Sequence, residues 1–194
     1  KVLHDNFVRA INGLTVRDSG SVRIEDRIRL RDTRPFRTDP REYYPPRKSV
    51  FSKIVGEPHA GKFELAFARF LDDAPDVVSF AKNYLAVGFK LDYVRTDGDL
   101  SNYIPDFIAK TADGTAWVIE TKGRVELDLP AKMARLAQWC GDATDASRAD
   151  GGHEYRFVYV DQAGFESNRP RDFASLVAGF TDYQSSKPVA SAGA

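Results

Sequence analysis

Residues 103–124, YIPDFIAKTADGTAWVIETKGR, decide how the rest of the chain is read. Two β-prone runs, YIPDFIAKT and TAWVIETK, flank Asp113-Gly114, a dipeptide suited to a tight hairpin turn. A strand turns its side chains to alternate faces. Trp117, Ile119 and Thr121 therefore share one face, and Val118, Glu120 and Lys122 share the other. Charges on a half-buried strand are costly unless they are paired or bound to something. Asp106 on the first run and Glu120 on the second put two carboxylates on neighbouring strands, and a divalent cation is their natural partner.

The flanking segments supply elements that cover such a hairpin. Between residues 61 and 72, Phe63, Ala66, Phe67, Phe70 and Leu71 recur at helical spacing, with Glu64 bordering the stripe. Residues 77–80 and 89–93 read as strands. Residues 129–140 read as a second helix, with Leu129, Met133, Leu136, Ala137 and Cys140 on its apolar face and Lys132, Arg135 and Gln138 off it. A polar loop is expected over 141–152, a strand over 155–160, and a last helix opened by Pro170. A helix, a run of strands, a helix, a strand and a helix make an α/β (α+β) chain with a mixed central sheet flanked by helices.

The N-terminal part differs. Residues 16–31 read as a hairpin about Asp18-Ser19-Gly20-Ser21. From Arg23 to Lys53 there are ten Lys/Arg against five acids, and 35–46 holds four prolines around Tyr43 and Tyr44. This stretch reads as an extended arm or linker over 1–47. Its chemistry suits phosphate contact with aromatic help, and equally a solvated spacer. Residues 48–183 are the expected functional domain, and 184–194, rich in Ser, Ala and Gly, an expected disordered tail.

Bulk properties narrow the function. The 194 residues carry 28 basic and 28 acidic side chains, so net charge gives no sign of a nucleic-acid partner, and any such sign must be local. A single cysteine, Cys140, excludes an intrachain disulfide framework and a thiolate zinc site, and suits a reducing cytoplasm. No apolar run is long enough for a membrane span. The chain starts at Lys1, and the expectation is a piece of a longer protein. His4, His59 and His153 show no ligand spacing. Residues 56–62, GEPHAGK, match a phosphate-binding loop only by coincidence, because Phe63 stands where a Mg²⁺-binding hydroxyl belongs. Asp72, Asp73 and Asp76 read as helix termination, and Trp117 and Trp139 as core.

Alone, Asp106 with Glu120-Thr121-Lys122 is as compatible with a strand of solvent-facing charges as with a metal site. Its setting carries more. KSVFSKIV (48–55), FELAFARFL (63–71), VVSFAKN (77–83), YIPDFIAK (103–110) and WVIETKGR (117–124) together resemble the PD-(D/E)XK nuclease superfamily. More narrowly, they resemble the C-terminal endonuclease domain of the restriction subunit of type III restriction–modification enzymes. The resemblance implies a restriction-endonuclease-like core of order αβββαβ. It implies Asp106 and Glu120 as metal-binding carboxylates, Lys122 as the catalytic lysine, and Glu64 as a helical carboxylate joining the site. The carbonyl of Thr121 becomes a further metal ligand, and Gln138, Lys132 and Arg124 become candidate substrate contacts. The implied cofactor is Mg²⁺, with Mn²⁺ as a substitute. The implied substrate is double-stranded DNA, and the implied partners are methyltransferase (modification) subunits and a translocase module of the same subunit, where any ATP site would lie. A non-catalytic DNA-binding or assembly module with a lapsed site, or a repair or resolvase nuclease of the same superfamily, are the rival readings.

Overall fold

The computed structural model describes residues 28–38, 42–56, 61–123, 126–148 and 151–184. Arg124, His4, His59, nearly all of the expected N-terminal hairpin and all of the expected tail after Gln184 lie outside the described residues. Two short strands, β1 (Tyr43–Tyr44) and β2 (Ile54–Val55), pair antiparallel. Helix α1 (Gly61–Asp73) follows, then β3 (Val77–Lys82), a side hairpin of β4 (Leu91–Val94) and β5 (Leu100–Tyr103), then β6 (Phe107–Thr111) and β7 (Ala116–Lys122). Helix α2 (Leu129–Arg148), β8 (Tyr155–Asp161), α3 (Gln162–Asn168) and α4 (Phe173–Gly179) complete the order. The main sheet runs β3-β6-β7-β8. Its first two pairings are antiparallel, and β7 with β8 is parallel across the α2 connection. The fold is mixed α+β with a mixed sheet, as the alternation of helical and strand periods requires.

The sheet has a core on each face. On one lie Phe63, Phe67 and Leu71 of α1, Phe80, Phe107 and Ile119 of the strands, and Phe173 and Leu176 of α4. On the other lie Met133, Leu136 and Cys140 of α2 with Val118, Phe157 and Tyr159, extended by Leu91, Tyr93 and Tyr103 of the side hairpin. The alternation of β7 holds throughout: Trp117 and Ile119 enter the first core, Val118 the second. Each buried Phe or Leu contributes roughly 1.5–3 kcal/mol, so both faces are fixed by apolar burial before any charge is placed. Helix α1 is buried more widely than its stripe predicts, with Leu65 and Ala68 inside and Ala66 exposed.

Several elements depart from the sequence expectation. YIPDFIAK is not one strand. Tyr103 ends β5, Phe107 begins β6, and the chain changes sheets between them. Pro105 has no N–H for a ladder, and the Asn83 amide holds this corner by donating to the carbonyls of Pro105 and Phe89, each at 2.9 Å. Helix α2 runs past Gly141 to Arg148. Buried Thr144 explains the extension, because its hydroxyl accepts from the Tyr155 N–H at 2.8 Å and donates to the Tyr155 carbonyl at 3.1 Å, tying the added turns to β8. Helix α3 was not expected at all; Asp161 caps it by accepting from the Gly164 N–H at 2.7 Å. At the described end of the expected N-terminal hairpin, Leu30 and Arg31 belong to a 3-10 turn, Leu30–Asp32, instead of strand.

The aspartates read as helix termination do more than that. Asp72 is fully buried and gathers the Tyr44 hydroxyl (2.7 Å), the Arg47 N–H (2.9 Å) and the Lys48 N–H (2.8 Å). Burial raises its pKa, but these hydrogen bonds outweigh it and keep the carboxyl below its usual range. The segment entering at Tyr43 is thereby fastened to the end of α1, and residues 48–50 bridge to Phe80 beside β3. Asp76 accepts from the Phe173 and Ala174 N–H groups, both at 2.8 Å, and so caps α4. Among the described residues no helix is long and apolar enough to cross a membrane.

Candidate active site

The chemistry collects where β6 and β7 meet the corner at Pro105. Phe107 pairs with Ile119, which leaves Asp106 just outside the ladder and level with the last residues of β7. Its backbone is clamped from both sides: the Asp106 N–H donates to the Ile119 carbonyl (3.1 Å), and its carbonyl accepts from the Asn83 N–H (2.7 Å). The Asp106 carboxylate accepts from the N–H and the hydroxyl of Thr121, at 2.7 and 2.6 Å on the same oxygen. The other oxygen, Oδ1, takes no part in that clamp.

Glu120 is 1% exposed and points to the α2 face. The Tyr103 hydroxyl donates to its Oε2 at 2.8 Å, and the Lys122 ammonium lies 2.9 Å from its Oε1. Lys122 also reaches Glu126 at 3.1 Å, and Glu126 is held by Lys132 at 2.6 Å. The Lys132 ammonium lies 5.8 and 5.9 Å from the ring centroids of Tyr93 and Tyr103. The start of α2 is therefore stapled to the end of β7 by alternating charges.

Electrostatics shows how tightly these groups interact. Burial, then the negative charge of Asp106, push Glu120 up to about 8, against the pull of Lys122. Asp106 is also raised, first by burial and then by the charge of Glu64, with the Thr121 hydrogen bonds opposing. Burial alone would lower Lys122, but the carboxylates of Glu120 and Asp106 outweigh it and raise it, so it stays an ammonium. Tyr103 is raised by burial and by Glu120. A half-buried and a buried carboxylate thus lie in the field of one lysine, which contacts Glu120, and the cluster carries an excess of negative charge.

Glu64 sits on the other side. Residues of β3 alternate so that Phe80 and Lys82 face α1, and the Lys82 ammonium meets Glu64 at 2.6 Å, both side chains 4% exposed. The sheet separates Glu64 from Glu120, with Asp106 at its end between them and Glu64 near enough to raise it. Among the described residues no group of three or more His, Cys, Asp or Glu side chains is arranged to hold a metal ion. Asp106, Glu120 and Lys122 are brought together; Glu64 is bound to Lys82 beside them. Thr121 is engaged through its N–H and hydroxyl with Asp106. Lys132 stands at the border of the cluster, whereas Gln138 is exposed almost two turns further along α2 and makes no hydrogen bond to Asp106, Glu120 or Lys122.

Sequence reasoning passed over four residues that organise the site: Tyr103, Glu126, Lys82 and Asn83. Lys82 had a readable signal, a lysine in phase with Phe80 on the buried face of a strand. Glu126 had another, lying four residues after Lys122. Tyr103 and Asn83 act through a chain corner that no periodicity announces. No family model, curated protein or solved structure matches this chain.

Carboxylate oxygens are hard donors of the kind a divalent cation takes. Two carboxylates in surplus over one ammonium, one of them pushed up to about 8 by burial and then by its neighbour's charge, are what such an ion relieves, and Mg²⁺ takes few protein ligands and keeps its waters.

Proposed function

We propose that the chain is a Mg²⁺-dependent endonuclease domain, a hydrolase of DNA phosphodiester bonds, of the kind found in the restriction subunit of type III restriction–modification enzymes. One observation carries this reading: half-buried Asp106 and buried Glu120, at the ends of neighbouring strands, lie close enough for the charge of Asp106 to raise Glu120, and the Lys122 ammonium lies 2.9 Å from Glu120. The element order α1, β3, β6, β7, α2, β8 supports the resemblance in the main sheet, with β4 and β5 as a side hairpin.

Asp106 and Glu120 would hold the ion, which when bound would supply Lewis-acid stabilisation of a phosphate and a more acidic water. Thr121 keeps one oxygen of Asp106 occupied and so aims the other. Tyr103 does the same for Glu120. Lys122, raised and fixed between Glu120 and Glu126, cannot act as a base. It serves as a fixed positive charge that orients the attacking water or steadies charge growing on the phosphoryl oxygens. The Glu126–Lys132 pair keeps that ammonium from swinging away.

A neutral chain has little hold on DNA except where charge is concentrated. Target recognition therefore falls to methyltransferase subunits, and ATP-driven movement to a translocase module. The reading is tested by Asp106→Ala, Glu120→Ala and Lys122→Ala in the restriction subunit assembled with its modification subunits, scored by plasmid nicking in Mg²⁺ and in Mn²⁺. Each variant is expected to lose at least about a hundredfold in rate. Undiminished cutting by all three overturns the assignment.

The tie of Glu64 to Lys82 favours a second reading, an assembly module that has lost its chemistry. Calorimetry with Mn²⁺ separates the two, because the nuclease reading requires binding that disappears in Asp106→Asn.

A further inference from the structure

Residues 28–38 contain four arginines, Arg29, Arg31, Arg34 and Arg37, all exposed, against one acid, Asp32. A charge run of this kind is ordinarily a solvated spacer, but this one is seated. Leu30 packs against the α2-side core, and Phe36 lies on Phe51 and Tyr84, with ring centroids at 6.0 and 5.0 Å. Leu30, Thr33 and Phe36 recur every third residue as the anchored side. Arg31, Arg34 and Arg37 recur at the same interval one residue on. A 3-10 turn over Leu30–Asp32 and extended backbone from Thr33 (φ −57, ψ 122) both repeat in about three residues. The three guanidinium groups therefore share one ridge. Extended chain advances roughly 9 Å per three residues, the rise of two to three phosphates along one DNA strand.

The seat adjoins the candidate site. Tyr84 follows Asn83, whose N–H grips the Asp106 carbonyl, and Lys82, whose ammonium lies 5.7 Å from the Tyr84 ring and 2.6 Å from Glu64. The end of β3 thus ties the basic segment to the carboxylate cluster through three consecutive residues.

We infer that residues 28–38 form a phosphate track for the backbone of duplex DNA, seated on Phe51 and Tyr84 so that Arg31, Arg34 and Arg37 hold a strand beside Asp106, Glu120 and Lys122. The identity of the partner rests on the nuclease reading; the track itself does not require that the site cuts. Guanidinium groups on one ridge contact phosphate without reading sequence. The affinity they supply is steeply salt-dependent.

Binding of a short fluorescent duplex to the full chain, followed by anisotropy in EDTA so that cleavage plays no part, tests this. Arg31→Gln/Arg34→Gln/Arg37→Gln is expected to weaken binding at least tenfold at low salt and to reduce the slope of log affinity on log salt by about 3, close to one per lost contact. The triple Arg→Lys variant is expected to stay within about threefold of wild type, since a point charge still meets phosphate. A control removing the same charge at Lys90, Arg148 and Arg171 is expected to leave the slope unchanged. The track is overturned if the Gln variant keeps the wild-type slope, if the control loses as much, or if only a single-stranded RNA probe is lost. A chain that binds through the track and never nicks DNA sinks the nuclease reading alone.

Discussion

Two charge clusters flank one sheet, and they handle charge differently. On the α1 face Glu64 and Lys82 meet at 2.6 Å in a closed, water-poor setting. On the α2 face and at the end of the sheet, Lys122, 22% exposed, contacts Glu120 and a second acid, Glu126, and Asp106 lies close enough for its charge to raise Glu120. The second cluster leaves Glu120 raised to about 8. A matched buried pair is a structural solution, whereas a surplus of one sign is a standing demand for a counter-ion. Under the proposed function, the contrast assigns structure to one side of the sheet and chemistry to the other.

The sharpest way to break that contrast is to remove the lysine on each side. Lys82→Met takes away Glu64's near partner in the interior and is expected to cost about 3–5 kcal/mol in urea unfolding. Lys122→Met is expected to cost less than about 1 kcal/mol at pH 7, since Glu120 there can keep its proton. Equal losses would erase the distinction.

The pH dependence of stability comes next. The folded-state pKa of Glu120 lies above its ordinary 4.5, so the folded chain binds this proton more tightly than the unfolded chain. Stability is then expected to fall as pH rises from about 4.5 to about 8, and to level off above. The loss is on the order of 5 kcal/mol. Glu120→Gln is expected to flatten that fall, as thermal unfolding across the range would reveal. A curve that stays as steep in the variant locates the surplus charge elsewhere.

Cation binding is a third handle. If an ion displaces the Glu120 proton, Mn²⁺ affinity rises by up to tenfold per pH unit between about pH 6 and 8 and then levels off. Calorimetry in buffers of different ionisation heat measures the released proton directly; flat affinity would detach Glu120 from the ion. Smallest is Tyr103→Phe. It removes one hydrogen bond, worth about 1 kcal/mol, and because that bond lowers Glu120, its loss moves the midpoint of the Mn²⁺ pH profile upward by a fraction of a unit. A downward shift would mean that Tyr103 restrains Glu120 in some other way.

Much of this was legible before the fold was known, for particular reasons. The alternation of residues 116–122 places Glu120 and Lys122 opposite Trp117 and Ile119, because burial on both faces leaves a strand no freedom of register. Asp106 was legible only as a residue inside the first strand run, whereas it stands just outside β6. What could not be read was the corner at residues 104–106, since it depends on Asn83, more than twenty residues earlier, donating to Pro105. The same limit hid Lys82. Its partner lies on a helix eighteen residues away, and local pattern shows a lysine without showing what faces it. The end of α2 was misread because glycine speaks locally for a stop, while Thr144 answers to β8.

Asp76 reaches α4 across 97 residues of chain. A seven-residue helix has no standing of its own in water, so α4 can form only after β3 has been placed and the chain has returned to it. Its assembly is then expected late in folding and its release early in unfolding. Amide hydrogens of Phe173 and Ala174 would then exchange through the first opening of the molecule, well before those of β6 and β7. A carboxylate that the sequence offers as a stop for one helix serves as the latch by which the folded chain closes.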